Sequence, residues 1–248
     1  MSAATVPAPV LEVEGLEKRF AGFVAVDGVS LTVAPGEIVG LIGANGAGKT
    51  TLLHTVYGRH RADAGSVRFL GEDVGALAPR DRARRGMGLV FQTTSIFPTL
   101  SVEENLRLGA MPKSGRASLG DADAIERTLV TIDLVAERAV AADDLAHGQQ
   151  QWLEIGMALL AEPTLLFLDE PTSGMTRAES RRTAELIRGL RAERPDRSVI
   201  VVEHNIEFIA MISDRVIVMH RGTVIADGPI DAVRADPEVQ ASYLGRRG

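Results

Sequence analysis

The spacing of apolar and polar positions changes along this chain and divides it into predicted strands and helices. The first segment reads as short strands, Leu11 to Phe20 and Val29 to Val33, in which apolar and polar residues alternate. Glu37 to Ile42 is a compact apolar run leading into glycine, which is typical of a buried strand in a parallel sheet. A glycine-rich loop, Gly43 to Thr50, follows, and Thr51 to Tyr57 is predicted to be the helix that this loop opens.

The middle of the chain has a helical pattern. From Thr93 to about Ala161 the residues read as mostly helical, without the alternation that marks the strands. The first helix of this block is predicted to begin at Ser101, because Glu104 three residues later completes a capping box. An uninterrupted helical block of this length predicts a separate lobe.

The remaining third alternates between strands and helices. A helix is predicted to begin after Thr176, capped together with Glu179, and to run to about Glu193. The tail from Pro229 is expected to be helical, and His220-Arg-Gly-Thr223 to be a hairpin turn. The buried strands predicted here are Thr164 to Leu168, Ser198 to Val202 and Arg215 to His220. Strands that alternate with helices predict an α/β fold with a parallel core sheet.

Composition excludes several classes of protein. The 248 residues are 45% apolar, which suits a single α/β domain with a sizeable core. No stretch approaches the roughly 18 consecutive apolar residues of a membrane span, and the start has neither the basic nor the apolar segment of a secretion signal. The absence of cysteine excludes disulfides and thiolate metal sites and fits a reducing cytoplasm. A net charge of -6 argues against a general nucleic-acid binder.

The strongest motif is a complete P-loop pattern, Gly43-Ala-Asn-Gly-Ala-Gly-Lys-Thr50. A polyphosphate needs backbone N–H groups aimed at it, and glycine lets the chain wrap that closely, while the following helix N-terminus favours an anion. Lys49 is expected to reach the β- and γ-phosphates, and the Thr50 hydroxyl to ligate Mg²⁺. A chance match in a glycine turn is disfavoured by the strand before the motif and the helix after it. The residues expected to bind nucleotide here are Gly43, Ala44, Asn45, Gly46, Ala47, Gly48, Lys49, Thr50 and Thr51.

A second motif, Leu165-Leu-Phe-Leu-Asp-Glu170, is an apolar strand that ends in two carboxylates. This pattern places the acids at the carboxyl edge of the sheet, where α/β folds bind their ligands. Asp169 suits Mg²⁺ bound through water, and Glu170 suits the base that polarises the attacking water. A strand running into an ordinary acidic turn is the alternative, and the P-loop makes it the weaker one.

The segment that separates this chain from other P-loop proteins is Leu145-Ala-His-Gly-Gln149. It resembles the signature of the ABC ATPases, an LSGGQ-like segment that opens a helix ahead of the Asp-Glu strand. In that family the signature caps the γ-phosphate of the ATP held by the other subunit, again with a helix N-terminus facing an anion. A plain polar helix cap is the alternative. The resemblance implies ATP contacts in trans from Ala146, His147, Gly148 and Gln149, although Ala146 replaces the usual serine.

Three further residues match family positions, and each also has an ordinary structural explanation. Gln92 matches the glutamine that touches Mg²⁺ and the attacking water and senses the membrane partner. His204 matches the histidine that contacts the γ-phosphate, and Phe20 matches the aromatic residue that stacks on adenine, although a core phenylalanine is a serious rival. Ser173-Gly-Met175 lies where the family has its D-loop, with Thr176 in place of the usual aspartate.

The resemblance extends from about Leu11 to Gly245 and is strongest to the ATPases of hydrophobic amino-acid and urea importers. His147 with Trp152 behind it, and Gly174-Met-Thr176, are most similar to the urea-type ATPase. The other segments that carry this similarity are Phe91-Gln92, Ser101-Val-Glu-Glu-Asn105, Trp152-Leu-Glu-Ile-Gly156, Val202-Glu-His204 and Tyr243-Leu-Gly245.

The resemblance implies an ABC nucleotide-binding domain over residues 1–248, with a RecA-like parallel-sheet core, an antiparallel β lobe and a helical lobe at about 93–161. It implies an ATPase that uses ATP and Mg²⁺ to energise a bacterial importer of a small solute such as urea, short amides or branched-chain amino acids. The implied partners are membrane permease subunits, a second ATPase subunit (a paralogue or the same chain) and an extracytoplasmic solute-binding protein, with no nucleic acid. The implied location is the cytoplasmic face of the inner membrane.

Two other functions are compatible with parts of the sequence. A non-transport ABC ATPase acting on nucleic acid or ribosomes typically has two fused ATPase domains or a long coiled-coil insertion, which this chain lacks. A module that binds ATP without hydrolysing it is favoured mildly by Ala146, but Glu170 and His204 argue for hydrolysis.

Overall fold

The fold was established with a computed structural model, which describes residues 8–91, 95–110 and 122–244. The strands are β1 Leu11–Phe20, β2 Phe23–Val33, β3 Ile38–Gly43, β4 Ala64–Phe69, β5 Glu72–Asp73, β6 Met87–Val90, β7 Leu165–Asp169, β8 Ser198–Glu203, β9 Arg215–His220 and β10 Thr223–Gly228. The helices are α1 Lys49–Tyr57, α2 Pro79–Arg84, α3 Val102–Gly109, α4 Ala122–Thr131, α5 His147–Leu159, α6 Arg177–Glu193, α7 Ile206–Ile212, α8 Ile230–Ala235 and α9 Pro237–Val239. A 3₁₀ turn, Ala142–Asp144, precedes α5, and a π-helical turn, Gln240–Leu244, follows α9.

The core is a six-stranded sheet in the order β10-β9-β3-β8-β7-β6, parallel except for β10. Its central strands are buried on both faces, and successive side chains along each strand point to opposite faces of the sheet. Leu165 and Phe167 of β7 pack in one apolar layer with β1, β2 and α1, whereas Leu166 and Leu168 pack in the other layer with the helices. The predicted parallel core sheet is therefore confirmed, and the strands β3, β7 and β8 end at its carboxyl edge in Gly43, Asp169 and Glu203.

A second, antiparallel sheet has the order β2-β1-β4-β5. The sequence predicted only the second half of β2, because a bulge hides its alternation. Gly28 has a φ of +63°, and the β1–β2 register shifts between Leu16 and Lys18. Such a shift moves side chains to the other face of the strand, so a strictly alternating pattern does not cover the whole of β2.

The described parts of the middle segment are mostly helical, as predicted. α3 begins with a complete capping box: Ser101 Oγ accepts a hydrogen bond from the Glu104 amide at 3.2 Å, and the Glu104 carboxylate accepts one from the Ser101 amide at 2.8 Å. α3 packs against α5, where Leu106 is fully buried and the Cβ that Gly156 lacks would lie 3.1 Å from Leu106 Cδ2. None of the helices in the described part of the chain combines the length and apolar character that crossing a bilayer requires.

Candidate functional site

The P-loop runs from the end of β3 directly into α1. The helix begins at Lys49, two residues earlier than predicted, because Gly48 takes the left-handed N-cap conformation with a φ of +101°. A side chain at Gly48 would also collide with the backbone, since its Cβ would lie 2.2 Å from the Ala25 carbonyl oxygen. Only glycine satisfies both conditions, so the conformation of the loop follows from its residues.

Lys49 is buried at the start of α1, and its ammonium group donates hydrogen bonds to the carbonyl oxygens of Gly43 at 2.8 Å and Ala44 at 3.3 Å. Burial lowers the pKa of Lys49, and the carboxylates of Glu170, Asp169 and Glu203 act in the opposite direction. The lysine therefore places a desolvated positive charge next to the loop, where a phosphate would gain most from it.

The two acids at the end of β7 differ in their surroundings. Asp169 is 2% exposed, and its Oδ1 accepts a hydrogen bond from Thr50 Oγ1 at 3.3 Å. Burial, together with the neighbouring Glu170 carboxylate, raises the pKa of Asp169 to about 6. Glu170 follows with a φ of +51°, a left-handed conformation that is costly for a residue other than glycine and that tends to occur at functional sites.

Glu203 is a functional candidate that the sequence reasoning missed. Its carboxylate is fully buried at the end of β8 and accepts hydrogen bonds from the Thr172 amide at 3.0 Å, the Thr172 hydroxyl at 2.5 Å and the His204 amide at 3.2 Å. The Glu203 carboxylate thereby links Thr172, in the loop after Glu170, to the backbone of His204. The sequence signal that could have identified Glu203 is a glutamate at the end of an otherwise apolar core strand, like the aspartate at the end of β7.

A cavity of about 330 Å³ brings half of the predicted site residues together. Its lining consists of the residues 45–51 of the P-loop and helix α1 together with Glu170 and His204. A larger groove of about 700 Å³ lies between α4 and the ends of α5 and α6, and none of the predicted site residues lines it. The smaller cavity is therefore the nucleotide-site candidate, because it contains the P-loop residues together with Glu170 and His204.

Other predicted residues lie away from this cavity. Phe20 is 41% exposed at the end of β1 and meets the His60 ring edge-on, with 5.2 Å between the ring centroids. The segment Leu145–Gln149 is at the start of α5 in the helical lobe and contributes nothing to the lining of the cavity. Gln92 is outside the described residues.

The start of α5 lacks one half of a capping box. Gln149 Oε1 accepts a hydrogen bond from the Ala146 amide at 3.0 Å, but the alanine side chain offers no acceptor in return. His147 Nε2 lies 3.0 Å from the Ser173 carbonyl oxygen. The first turn of this helix is thus held by a glutamine and a histidine rather than by a capping hydroxyl group.

Comparison with protein families matches residues 26–173 to the family described as ABC transporter. The chain belongs to this family. It is an ABC-type ATPase, and residues 223–248 also match the family described as branched-chain amino acid ATP-binding cassette transporter. Among curated relatives of this ATPase, the high-affinity branched-chain amino acid transport ATP-binding protein BraF of Pseudomonas aeruginosa is 34% identical, with 96% of this chain and 98% of that protein covered. The corresponding LivG protein of Escherichia coli K12 has the same identity and coverage.

Solved structures confirm the fold of the ATPase. The ADP conformation of an ATP-binding cassette of an ABC transporter superposes with a TM-score of 0.86 at 29% identity, covering 96% of this chain and all of that one. A nucleotide-free ATP-binding cassette superposes with a TM-score of 0.84 at 28% identity, covering 96% and 100%. The predicted ABC fold, with its core sheet, antiparallel β lobe and helical lobe, is therefore confirmed.

Proposed function

We propose that residues 1–248 form one ABC ATPase domain that hydrolyses ATP to drive a bacterial importer of a small solute. One observation carries this proposal: Lys49, Glu170 and His204 surround one cavity, while the signature segment Leu145–Gln149 lies apart from it. A site of this kind is completed when the signature of a second subunit faces the cavity. The functional unit is then a dimer with ATP between the P-loop of one subunit and the signature of the other.

The phosphate-binding roles follow from charge and geometry. Lys49 and the backbone N–H groups of residues 45–51 bind the phosphates, because they place positive charge and donors around one cavity. Thr50 and Asp169 would hold Mg²⁺, Asp169 through water, and Gln92 is proposed as a further contact to it. The donor set fits this ion, since both groups offer oxygen to a hard cation and the buried Asp169 carboxylate has acidic neighbours. When bound, Mg²⁺ would neutralise part of the negative charge on the phosphates.

Glu170 is proposed as the base that polarises the attacking water, and His204 as the contact to the γ-phosphate. Both line the cavity, and Glu203 sets their relative position through Thr172 and the His204 amide. Phe20 is proposed to stack on adenine. Its ring is 41% exposed at the end of β1, where it meets His60 edge-on and has the Lys18 ammonium 5.2 Å from its centroid.

The partners are inferred from the relatives. An importer of this class has permease subunits in the inner membrane, a solute-binding protein outside it and two ATPase subunits, identical or paralogous, on the cytoplasmic face. The permeases follow the ATPase motion through the surface near Gln92 and the helical lobe. The net charge of -6 continues to argue against a nucleic-acid substrate.

Branched-chain amino acids are the first candidate solute, because BraF and LivG match this chain over nearly their whole length. The ATPase alone does not select the solute: a methionine import ATP-binding protein of Mesorhizobium japonicum is 36% identical over 95% of this chain. Urea or a short amide is the second candidate. It is favoured by the resemblance of His147, Trp152 and Gly174-Met-Thr176 to the urea-type ATPase.

Replacing Glu170 by glutamine tests the ATPase proposal. Glu170→Gln keeps the size of the side chain but cannot act as a base, so the variant should bind ATP and accumulate as an ATP-bound dimer. Size-exclusion chromatography with ATP and steady-state phosphate release measure the two properties, with Glu185→Gln on the exposed face of α6 as the matched control. Normal hydrolysis by Glu170→Gln would place the base elsewhere.

Uptake by a deletion strain tests the solute. The strain is supplied with labelled leucine or labelled urea at low concentration, with and without the gene restored. Lost leucine uptake with unchanged urea uptake supports the first candidate, and the reverse result supports the second. Unchanged uptake of both would reject both solutes.

A further inference from the structure

His147 links the signature segment to the D-loop of the same chain, here residues 173–175. Its Nε2 lies 3.0 Å from the Ser173 carbonyl oxygen. A carbonyl oxygen only accepts hydrogen bonds, so Nε2 carries the proton and donates it. The ring also lies against Gly174, whose φ is +73°, since a Cβ there would be 3.3 Å from Nε2 and 3.4 Å from Cδ2. The histidine is therefore seated on the D-loop backbone rather than turned away from it.

Two further contacts join the same pair of segments. The Cβ that Gly148 lacks would lie 2.9 Å from Glu179 Oε1, so the first turn of α5 approaches the first turn of α6 closely. One helical turn farther on, Trp152 Nε1 donates to Thr183 Oγ1 at 2.9 Å, and that hydroxyl contacts Met175 Sδ at 3.3 Å. The residues that resemble the urea-type ATPase, which are far apart in sequence, thus form one contact surface between α5, the D-loop and α6.

This surface continues to the proposed base. The Ser173 amide donates a hydrogen bond to the Glu170 carbonyl oxygen at 3.1 Å. Only the backbone of residues 170–173 therefore separates the contact made by His147 from Glu170. Displacement of the signature segment would move the Ser173 carbonyl and, through this tight turn, the backbone that holds Glu170 at its left-handed φ of +51°.

We propose that His147 is a positioning residue that transmits the state of the signature segment to Glu170 of the same chain. This proposal rests on the proposed function, in which the signature meets the ATP of the other subunit while Glu170 acts on the ATP of its own P-loop. When the signature of a subunit contacts the ATP of the other subunit, Glu170 of the same subunit is then ordered for the ATP at its own P-loop. The contact is to the backbone, so its strength depends on the donor at position 147 and on the absence of a side chain at Gly174.

Variants at position 147 separate this role from a general packing role. His147→Phe keeps a ring but has no donor, whereas His147→Gln keeps a donor. Loss of a neutral hydrogen bond of about 1 kcal/mol corresponds to a fall in kcat of about fivefold if it is expressed in the transition state. We expect His147→Phe to show this fall and a Hill coefficient for ATP that drops towards 1, and His147→Gln to restore both. The assay is phosphate release by the assembled transporter across ATP concentrations.

A second variant keeps the test valid if His147→Phe folds poorly. Gly174→Ala should shift the D-loop backbone, strained at a φ of +73°, and lengthen the His147–Ser173 contact, since the new Cβ would lie 3.3 Å from Nε2; it should therefore reproduce the loss of cooperativity, with Gly189→Ala in α6 as a control for adding a methyl group where a Cβ meets no atom within 4 Å. Wild-type kcat and Hill coefficient in both His147→Phe and Gly174→Ala would overturn the proposal. Failure of His147→Gln to restore the rate, with weaker ATP binding, would instead make His147 a direct phosphate contact and would also overturn it.

The dimer assay distinguishes this inference from the function on which it rests. If Glu170→Gln forms no ATP-bound dimer, the sandwich arrangement itself is wrong. If that dimer forms and the variants at positions 147 and 174 behave as wild type, only the coupling role of His147 is wrong.

Discussion

Asp169→Asn should stabilise the nucleotide-free protein at neutral pH while abolishing Mg²⁺-dependent hydrolysis. The aspartate is 2% exposed, and burial and Glu170 raise the pKa of its carboxyl from 3.8 to about 6. Asparagine has nearly the same shape and keeps an acceptor for the Thr50 hydroxyl, but it carries no charge to desolvate. The variant therefore removes the electrostatic cost and keeps the packing.

The size and pH range of the effect follow from the two pKa values. Well below pH 3.8 the carboxyl is protonated in both the folded and the unfolded state. The free energies of unfolding of wild type and variant then differ by an amount that does not change with pH. Between pH 3.8 and about 6 the unfolded chain ionises first, so the wild type loses stability as pH rises, and above about 6 the loss stays constant. About two pKa units at 1.36 kcal/mol each make this loss about 3 kcal/mol.

Urea denaturation from pH 4 to 8, followed by the fluorescence of the single tryptophan Trp152, measures the effect. The free energy of unfolding of Asp169→Asn minus that of the wild type should rise by about 2 kcal/mol between pH 4 and pH 6.5 and then stay nearly level, because more than half of the unfolded aspartate is already ionised at pH 4. Asp143→Asn, at an exposed aspartate, controls for the general loss of one negative charge. A difference between Asp169→Asn and wild type that does not change with pH would refute the argument that Asp169 is destabilised by burial.

Three other variants test separate parts of the site. Lys49→Ala should lose most ATP affinity or turnover, because it removes the ammonium group beside the phosphates; equal turnover by wild type and variant would reject the P-loop assignment. Glu203→Gln should lower kcat about tenfold and stability by about 1.5–3 kcal/mol, because the new amide group faces donors such as the Thr172 amide; unchanged phosphate release and urea denaturation would exclude this role. Ala146→Ser should raise turnover in the assembled transporter roughly tenfold to a hundredfold if the new hydrogen bond acts wholly in the transition state, and an unchanged or lower rate would show that the hydroxyl is already compensated.

The local motifs were determined by the sequence because each needs only neighbouring residues. The P-loop depends on a buried strand, on glycines such as Gly48 that tolerate a positive φ, and on a helix that begins at once. Asp169 could be placed at the carboxyl edge of the sheet because an apolar strand ends there. The capping boxes of α3 and α6 were predicted for the same reason, since Ser101 with Glu104 and Thr176 with Glu179 interact within one turn.

Only the tertiary structure decided which distant segments meet. β6 was missed because its four residues show no periodicity of their own, and it lies at the end of the sheet, where β7 is the one strand that pairs with it among residues 8–91, 95–110 and 122–244. The Glu203–Thr172 and His147–Ser173 contacts join residues 31 and 26 positions apart, and they exist because β7 lies beside β8 and α5 lies beside the start of α6. Strand order and helix packing are set by how whole apolar faces are buried together, and the residues of a single segment do not encode that choice.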